Sequence, residues 1–286
     1  MKKTITYYFT FFLLAILAGC KKNDMPDASQ KVIDIGQKVK FFLLAAEAPK
    51  DGMINIQAFK QAGSLIPQDQ QAFDGYVGGT FYINKDDTKS TTISKFSING
   101  FDIPYNNYPA YPGYGIQSNG NGTVVIDWMK NLFGKKINIS LQGSTLYRTN
   151  IEDSNFYVPK EITYTAEFLQ SRTYNANNSN TITWQTDPDN PNGMLYVGIV
   201  YEAVKSNEED QSMPDNSYVQ AFLEVPDNGS YTITSDKVTE LPTNSYVSVT
   251  LARGNYQLLT DSATGTQTLV YAISQSSTSS TIKIVR

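Results

Sequence analysis

Met194-Leu195-Tyr196-Val197-Gly198-Ile199-Val200-Tyr201 is a short apolar run, and the string Asp187-Pro188-Asp189-Asn190-Pro191-Asn192-Gly193 stands in front of it. Its length is that of one buried strand rather than of a core helix, and its Val, Ile and Tyr residues suit a pleated surface. Pro and Asn-Gly are turn makers, so the run begins where a loop ends. Ser245–Arg253 repeats the signal with Tyr246, Val247, Val249 and Leu251.

Outward from these two, similar runs recur at Lys38–Ala46, Met53–Ala58, Gly79–Asn84, Thr91–Ile98, Gly122–Asp127 and Lys136–Gln142. They continue at Ser154–Val158, Lys160–Glu167, Asn180–Gln185, Tyr218–Glu224, Gly229–Thr234, Thr266–Ser274 and Thr281–Val285. Only Asp127–Phe133 reads as a short helix or turn, with Gly134 to end it. Regularly spaced strands without amphipathic helices between them predict an all-β protein of two β-sandwich domains. Pro159 closes the Tyr157-Val158 strand and cannot donate to a ladder. It sets the expected boundary between Val32–Val158 and Pro159–Arg286, each large enough for its own core. The serine-rich run Ser274–Ser280 reads as a loop before the last strand.

In the second half, Ile182-Thr183-Trp184 and the Met194–Tyr201 run are followed by Leu241-Pro242 and by Tyr246-Val247-Ser248-Val249-Thr250-Leu251-Ala252. This half resembles the fibronectin type III sandwich, with its early Trp and its later Leu-Pro and Tyr-x-Val strand. The resemblance implies that Trp184, Tyr246, Val249 and Leu251 are scaffold. Tyr246 would be the corner tyrosine, its ring inside and its hydroxyl bonded to backbone. A fold resemblance of this kind implies no activity.

Composition removes whole classes of chemistry. The 286 residues include 23 Lys+Arg and 27 Asp+Glu, one Cys and no His, for a net charge of −4. Without His there is no Ser–His–Asp triad, no Cys–His dyad and no His-ligated metal. One Cys allows neither an intrachain disulfide nor a four-thiolate zinc site. Mild acidity gives no electrostatic footprint for nucleic acid.

The N-terminus reads as a targeting segment. Lys2 and Lys3 precede a mostly apolar run from Tyr7 to Ala18, shorter than the roughly 20 residues that span a bilayer as a helix. The run ends in Leu17-Ala18-Gly19-Cys20, which resembles the lipobox of bacterial lipoproteins. The resemblance implies cleavage before Cys20, removal of residues 1–19 and acylation of the Cys20 thiol. The chain would then be held to a membrane through its N-terminal lipid. Lys21 after the cysteine favours the outer membrane, and Lys21-Lys22-Asn23-Asp24 resembles the short export signal of Bacteroidota surface lipoproteins. The periplasmic face and the cell surface both stay open. Residues 20–31 read as a lipidated, flexible tether.

The most unusual composition lies at Tyr105-Asn-Asn-Tyr108-Pro-Ala-Tyr111-Pro-Gly-Tyr114. Pro109 and Pro112 bias Tyr108 and Tyr111 toward extended backbone, and a three-residue repeat aligns side chains along one edge. Tyr105, Tyr108, Tyr111 and Tyr114, joined by Trp128, form a candidate platform for a sugar or a partner protein. The competing expectation is that these rings lie down on the sandwich as loop anchors. The oxygen-rich Asp187–Gly193 string suggests calcium, but Pro191 stands where an EF-hand needs a ligand, so it reads as a turn. Asp/Glu pairs could run glycoside hydrolysis, yet no carboxylate sits in a recognisable motif. The expected protein is a non-enzymatic envelope lipoprotein without cofactor or metal. It would act as a structural or interaction module or, alternatively, bind a surface glycan.

Overall fold

In the computed structural model the described residues are 51–62, 73–82, 90–106, 113–118, 123–144, 150–190, 193–202, 220–238, 246–278 and 282–286. The signal segment, Cys20, the tether, the expected strand Lys38–Ala46, Tyr108, Tyr111 and Leu241-Pro242 lie outside them. The protein is all-β. The first half contributes β1 (Gly52–Ala62), β2 (Asp74–Tyr82), β3 (Ser90–Thr91), β4 (Lys95–Ile98), β5 (Phe101–Asp102), β6 (Tyr105–Asn106) and β7 (Gly113–Gln117). Helix α1 (Thr123–Lys130), β8 (Lys135–Gln142) and β9 (Asn150–Val158) follow. The second half holds β10 (Tyr164–Ala166), α2 (Glu167–Ser171), β11 (Thr173–Asn175), β12 (Asn180–Trp184), β13 (Met194–Glu202) and β14 (Gln220–Pro226). It ends with β15 (Ser230–Ile233), β16 (Tyr246–Thr260), β17 (Gln267–Thr278) and β18 (Ile282–Val285).

One 11-stranded sheet takes strands from both halves, in the order β11-β18-β16-β17-β1-β2-β7-β6, with β13 also on β16, β14 on β13 and β3 on β2. Two smaller sheets cover the inner face of this large sheet. The β5-β4-β8-β9 sheet closes one core with α1, and the β10-β12-β15 sheet closes the other with α2. In the first core Ile54, Ile56, Val77 and Phe81 meet Phe96, Ile98, Ile139 and Leu141. In the second, Val197, Ile199, Val249 and Leu251 meet Ile182, Trp184 and Ile233.

The expectation of two separate pieces parting at Pro159 meets a different arrangement. β1 pairs in parallel with β17 from Gly52↔Thr268 to Ala62↔Thr278, and Leu259, Val270 and Ala272 of the second half sit in the first core. Ala62 of the first half sits in the second core. The physical reason is strand length. β16 has 15 residues and β17 has 12, so their hairpin outreaches the second sandwich. Alternation along β16 keeps one face inward throughout, with Val247, Val249 and Leu251 in one core and Leu259 in the other. β9 lies beside the far end of β16. There the Asn255 amide donates to Tyr157 O at 2.7 Å and Gln257 donates to Asp153 at 3.1 Å.

Three further expectations change. Gly122–Asp127 is not a strand: Thr123–Lys130 is helical, because Val125, Trp128, Met129 and then Leu132 recur at helical spacing toward the first core. The serine run is not a loop at its start, because β17 continues to Thr278 with Ser274 and Ser276 buried. Tyr246 is half-buried at the start of β16, and in the second half a different, fully buried tyrosine is bonded to backbone: the Tyr164 hydroxyl donates to Val249 O at 2.7 Å. Between β4 and β5 the sequence Asn99-Gly100 makes a two-residue turn with φ of 50° and 76°, the left-handed geometry that Asn-Gly permits.

Candidate functional site

The tyrosines singled out by sequence do not form one row. Tyr114 is a core anchor: its ring meets Phe81 and Phe96 edge-on, and its hydroxyl accepts from Ile93 N at 3.0 Å and donates to Ile93 O at 2.7 Å. Burial raises its pKa, the bond to Ile93 opposes that, and Tyr105 adds a smaller upward push. Tyr105 pairs with Tyr114 across the β6–β7 ladder, leans on its ring edge at 5.2 Å between centroids and is 36% exposed. Trp128 projects from α1 and stacks on Phe101 at 4.4 Å, half-buried, with its indole N–H buried and without a hydrogen-bond partner. The loop-anchor expectation therefore holds for Tyr114, while Tyr105 keeps an open face.

Asp187–Asn190 form a turn, with Asn190 N donating to Asp187 O at 3.1 Å, and Asp187 has a structural task. Its buried carboxylate accepts from the Tyr157 hydroxyl at 2.9 Å and from Lys160 N at 2.7 Å. Burial, and next the bond to Asp187, push the Tyr157 phenol well above its ordinary range. Beside it, Arg253 is 1% exposed and grips Asp227 with two bonds, Nε to Oδ2 at 2.8 Å and Nη2 to Oδ1 at 3.1 Å. Arg253 also donates to Gln185 O at 2.7 Å and to Lys160 O at 3.3 Å, and Trp184 Nε1 donates to Asp227 at 2.8 Å. This network clamps the Tyr157–Lys160 segment, where a domain boundary was expected.

Sequence reading missed the outer face of the large sheet, opposite both cores. The registers align Gly115, Gly78, Asn55, Tyr271 and Tyr256 in one row across five strands. The next row holds Gln117, Tyr76, Gln57 and Ile273. Tyr76 lies across the two glycines: a Cβ on Gly78 would come within 2.1 Å of its hydroxyl oxygen, and one on Gly115 within 2.9 Å. A third apolar cluster sits here, its described members being Tyr196, Ala252, Leu269, Tyr271 and Ile273 with Met53 against it, from strands of the sheet itself. Burial pushes the Tyr271 phenol up to about 12, although the Asn55 and Gln57 amides beside it favour the ionised form. Its hydroxyl nevertheless completes no hydrogen bond, and neither does Asn55 Oδ1. Tyr256 at 38% and Leu258 at 40% are exposed on the same face. Period-two alternation was the available signal, because Asn55 and Gln57 interleave with Ile54 and Ile56. Which strands would lie side by side could not be read from it.

No family model and no curated protein matches the chain.

Proposed function

We propose that the protein is a non-enzymatic lipoprotein of the bacterial outer membrane, attached through Cys20, whose β-sandwich body serves as an interaction module of the cell envelope. The observation that carries the reading is Leu17-Ala18-Gly19-Cys20 at the end of a short apolar run behind Lys2 and Lys3. A chain with one thiol has one position for thioether lipidation, and more than one acyl chain is what makes such anchoring durable. The body supports the reading by its chemistry. The buried charges Arg253, Asp227 and Asp187 hold segments together, and the outer sheet face carries neutral groups, the buried Asn55, Gln57 and Tyr271 and the exposed Tyr256. The strand orders β10-β12-β15 and β14-β13-β16-β18 support the type III resemblance of the second half. Its partner is an envelope protein or a glycan.

Cys20→Ala tests the anchor. With acyl labelling and membrane fractionation, the variant should lose the label and either leave the membrane fraction or stay unprocessed. Undiminished labelling would sink the reading.

A further inference from the structure

Resting on the reading of an envelope interaction module, we propose that the outer face of the large sheet binds a neutral glycan, centred on Asn55, Tyr271 and Tyr256. Two side chains at the centre of this face are more than nine-tenths buried and keep unused hydrogen-bonding atoms, Asn55 Oδ1 and the Tyr271 hydroxyl. A buried polar atom without a partner is costly, so two of them side by side on paired strands mark a place where a polar ligand gains more than water alone would give. They belong to facing residues, since Asn55 and Tyr271 are register partners in the β1–β17 ladder.

The surroundings select the chemical class. Tyr256, opposite Tyr271 in the β16–β17 ladder, is exposed and offers an aromatic face for the C–H side of a sugar ring. Gln57 and Gln117 add amides, which donate and accept and so match hydroxyl groups. Strands β1, β2, β16 and β17 place no Lys or Arg on this face, whereas Asp74 stands at its edge on β2 and Glu224 on β14 next to Tyr196. An anionic ligand, whether phosphate, uronate or fatty acid, would meet no cation beside Asn55 and Tyr271, and at the margins two carboxylates against one lysine, Lys283 opposite Tyr246 on β18. A hydroxyl-rich neutral ring meets acceptors, donors and an aromatic wall. The side chains come from both halves of the chain, so the site exists only once the common sheet has formed.

The test uses the full chain in detergent on an array of neutral α- and β-glucan oligosaccharides, with polygalacturonate and hyaluronan as anionic controls. Wild type should retain neutral glycans and neither polyanion, with little dependence on salt. Tyr271→Phe removes a hydroxyl that has no partner in the free protein, so the melting temperature should hold while binding falls up to about tenfold, the scale of one hydrogen bond. Tyr256→Ala, at an exposed position, should weaken binding further without altering the melt. Binding that is unaffected by both variants but lost in Tyr105→Ala would place the site on the tyrosine-rich segment and overturn the proposal. So would preferential retention of the polyanions. A wild type that binds none of these glycans overturns it too, and if acyl labelling at Cys20 persists in that protein, the lipoprotein reading stands without it.

Discussion

Tyr164 and Tyr246 belong to the same sandwich and differ in what their hydroxyls do. Tyr164 is fully buried and donates to Val249 O, whereas Tyr246 is half-buried at a strand start. Tyr164→Phe should therefore cost about 1 kcal/mol, the net value of one intramolecular hydrogen bond. Tyr246→Phe should stay within about 0.5 kcal/mol, as exposed substitutions do. Denaturant melts of the two variants check both. The corner position was legible as a motif, but the buried hydroxyl that ties this sandwich together belongs to Tyr164 on β10, 82 positions upstream of Tyr246. No local spacing connects the two. A second residue-scale consequence concerns alkaline pH. Burial pushes the phenols of Tyr174 and Tyr271 up to about 12 from an ordinary 10.0. The unfolded chain loses these protons near its ordinary value and the folded chain holds them longer, so stability is unaffected below that value and falls as pH rises through the folded pKa. Unfolding monitored together with phenolate absorbance should show a stability plateau that ends near pH 10 and a decline up to about 12. A stability that rises across this window would contradict the burial of these rings.

At the scale of elements, the clamp around Arg253 joins the β12–β13 loop, the end of β14 and the Tyr157–Lys160 segment. Removing one partner of a buried ion pair leaves the other charge unpaired in a dry setting. Arg253→Met should cost about 3–5 kcal/mol for that reason. Arg253→Lys should recover only part of it, because an ammonium cannot reproduce the forked contact with Asp227. Urea unfolding of both variants reads the difference. Many elements were legible from sequence, with β13 and β16 the plainest, because β-branched runs between turn residues have one sensible reading. The errors have physical causes. Val124, Val125 and Ile126 imitate a strand, yet the helical repeat of Val125, Trp128, Met129 and Leu132 decides the local structure once a core is present to receive it. The serine run imitates a loop, yet Thr250–Arg253 of β16 offers it a ladder, and tertiary pairing overrides propensity. Similarly, Asp187 was legible as a turn residue but not as a carboxylate buried under Tyr157.

For the whole molecule, the common sheet is what both the fold and the proposed binding face depend on. β1 lies between β2 and β17, and the first core closes over Leu259, Val270 and Ala272. Composition and strand spacing pointed to two sandwiches, and two cores are present. They do not reveal that one long hairpin serves both, since parallel pairing of β1 with β17 joins residues more than 200 positions apart. The most direct test is to make residues 32–158 and 159–286 separately and follow each by thermal melting, alone and mixed. Without β17 beside β1 and without three side chains of its core, the first piece should show no cooperative transition on its own. Mixing with the second piece should restore one. Cooperative melting of both isolated pieces, with no change on mixing, would contradict the common sheet.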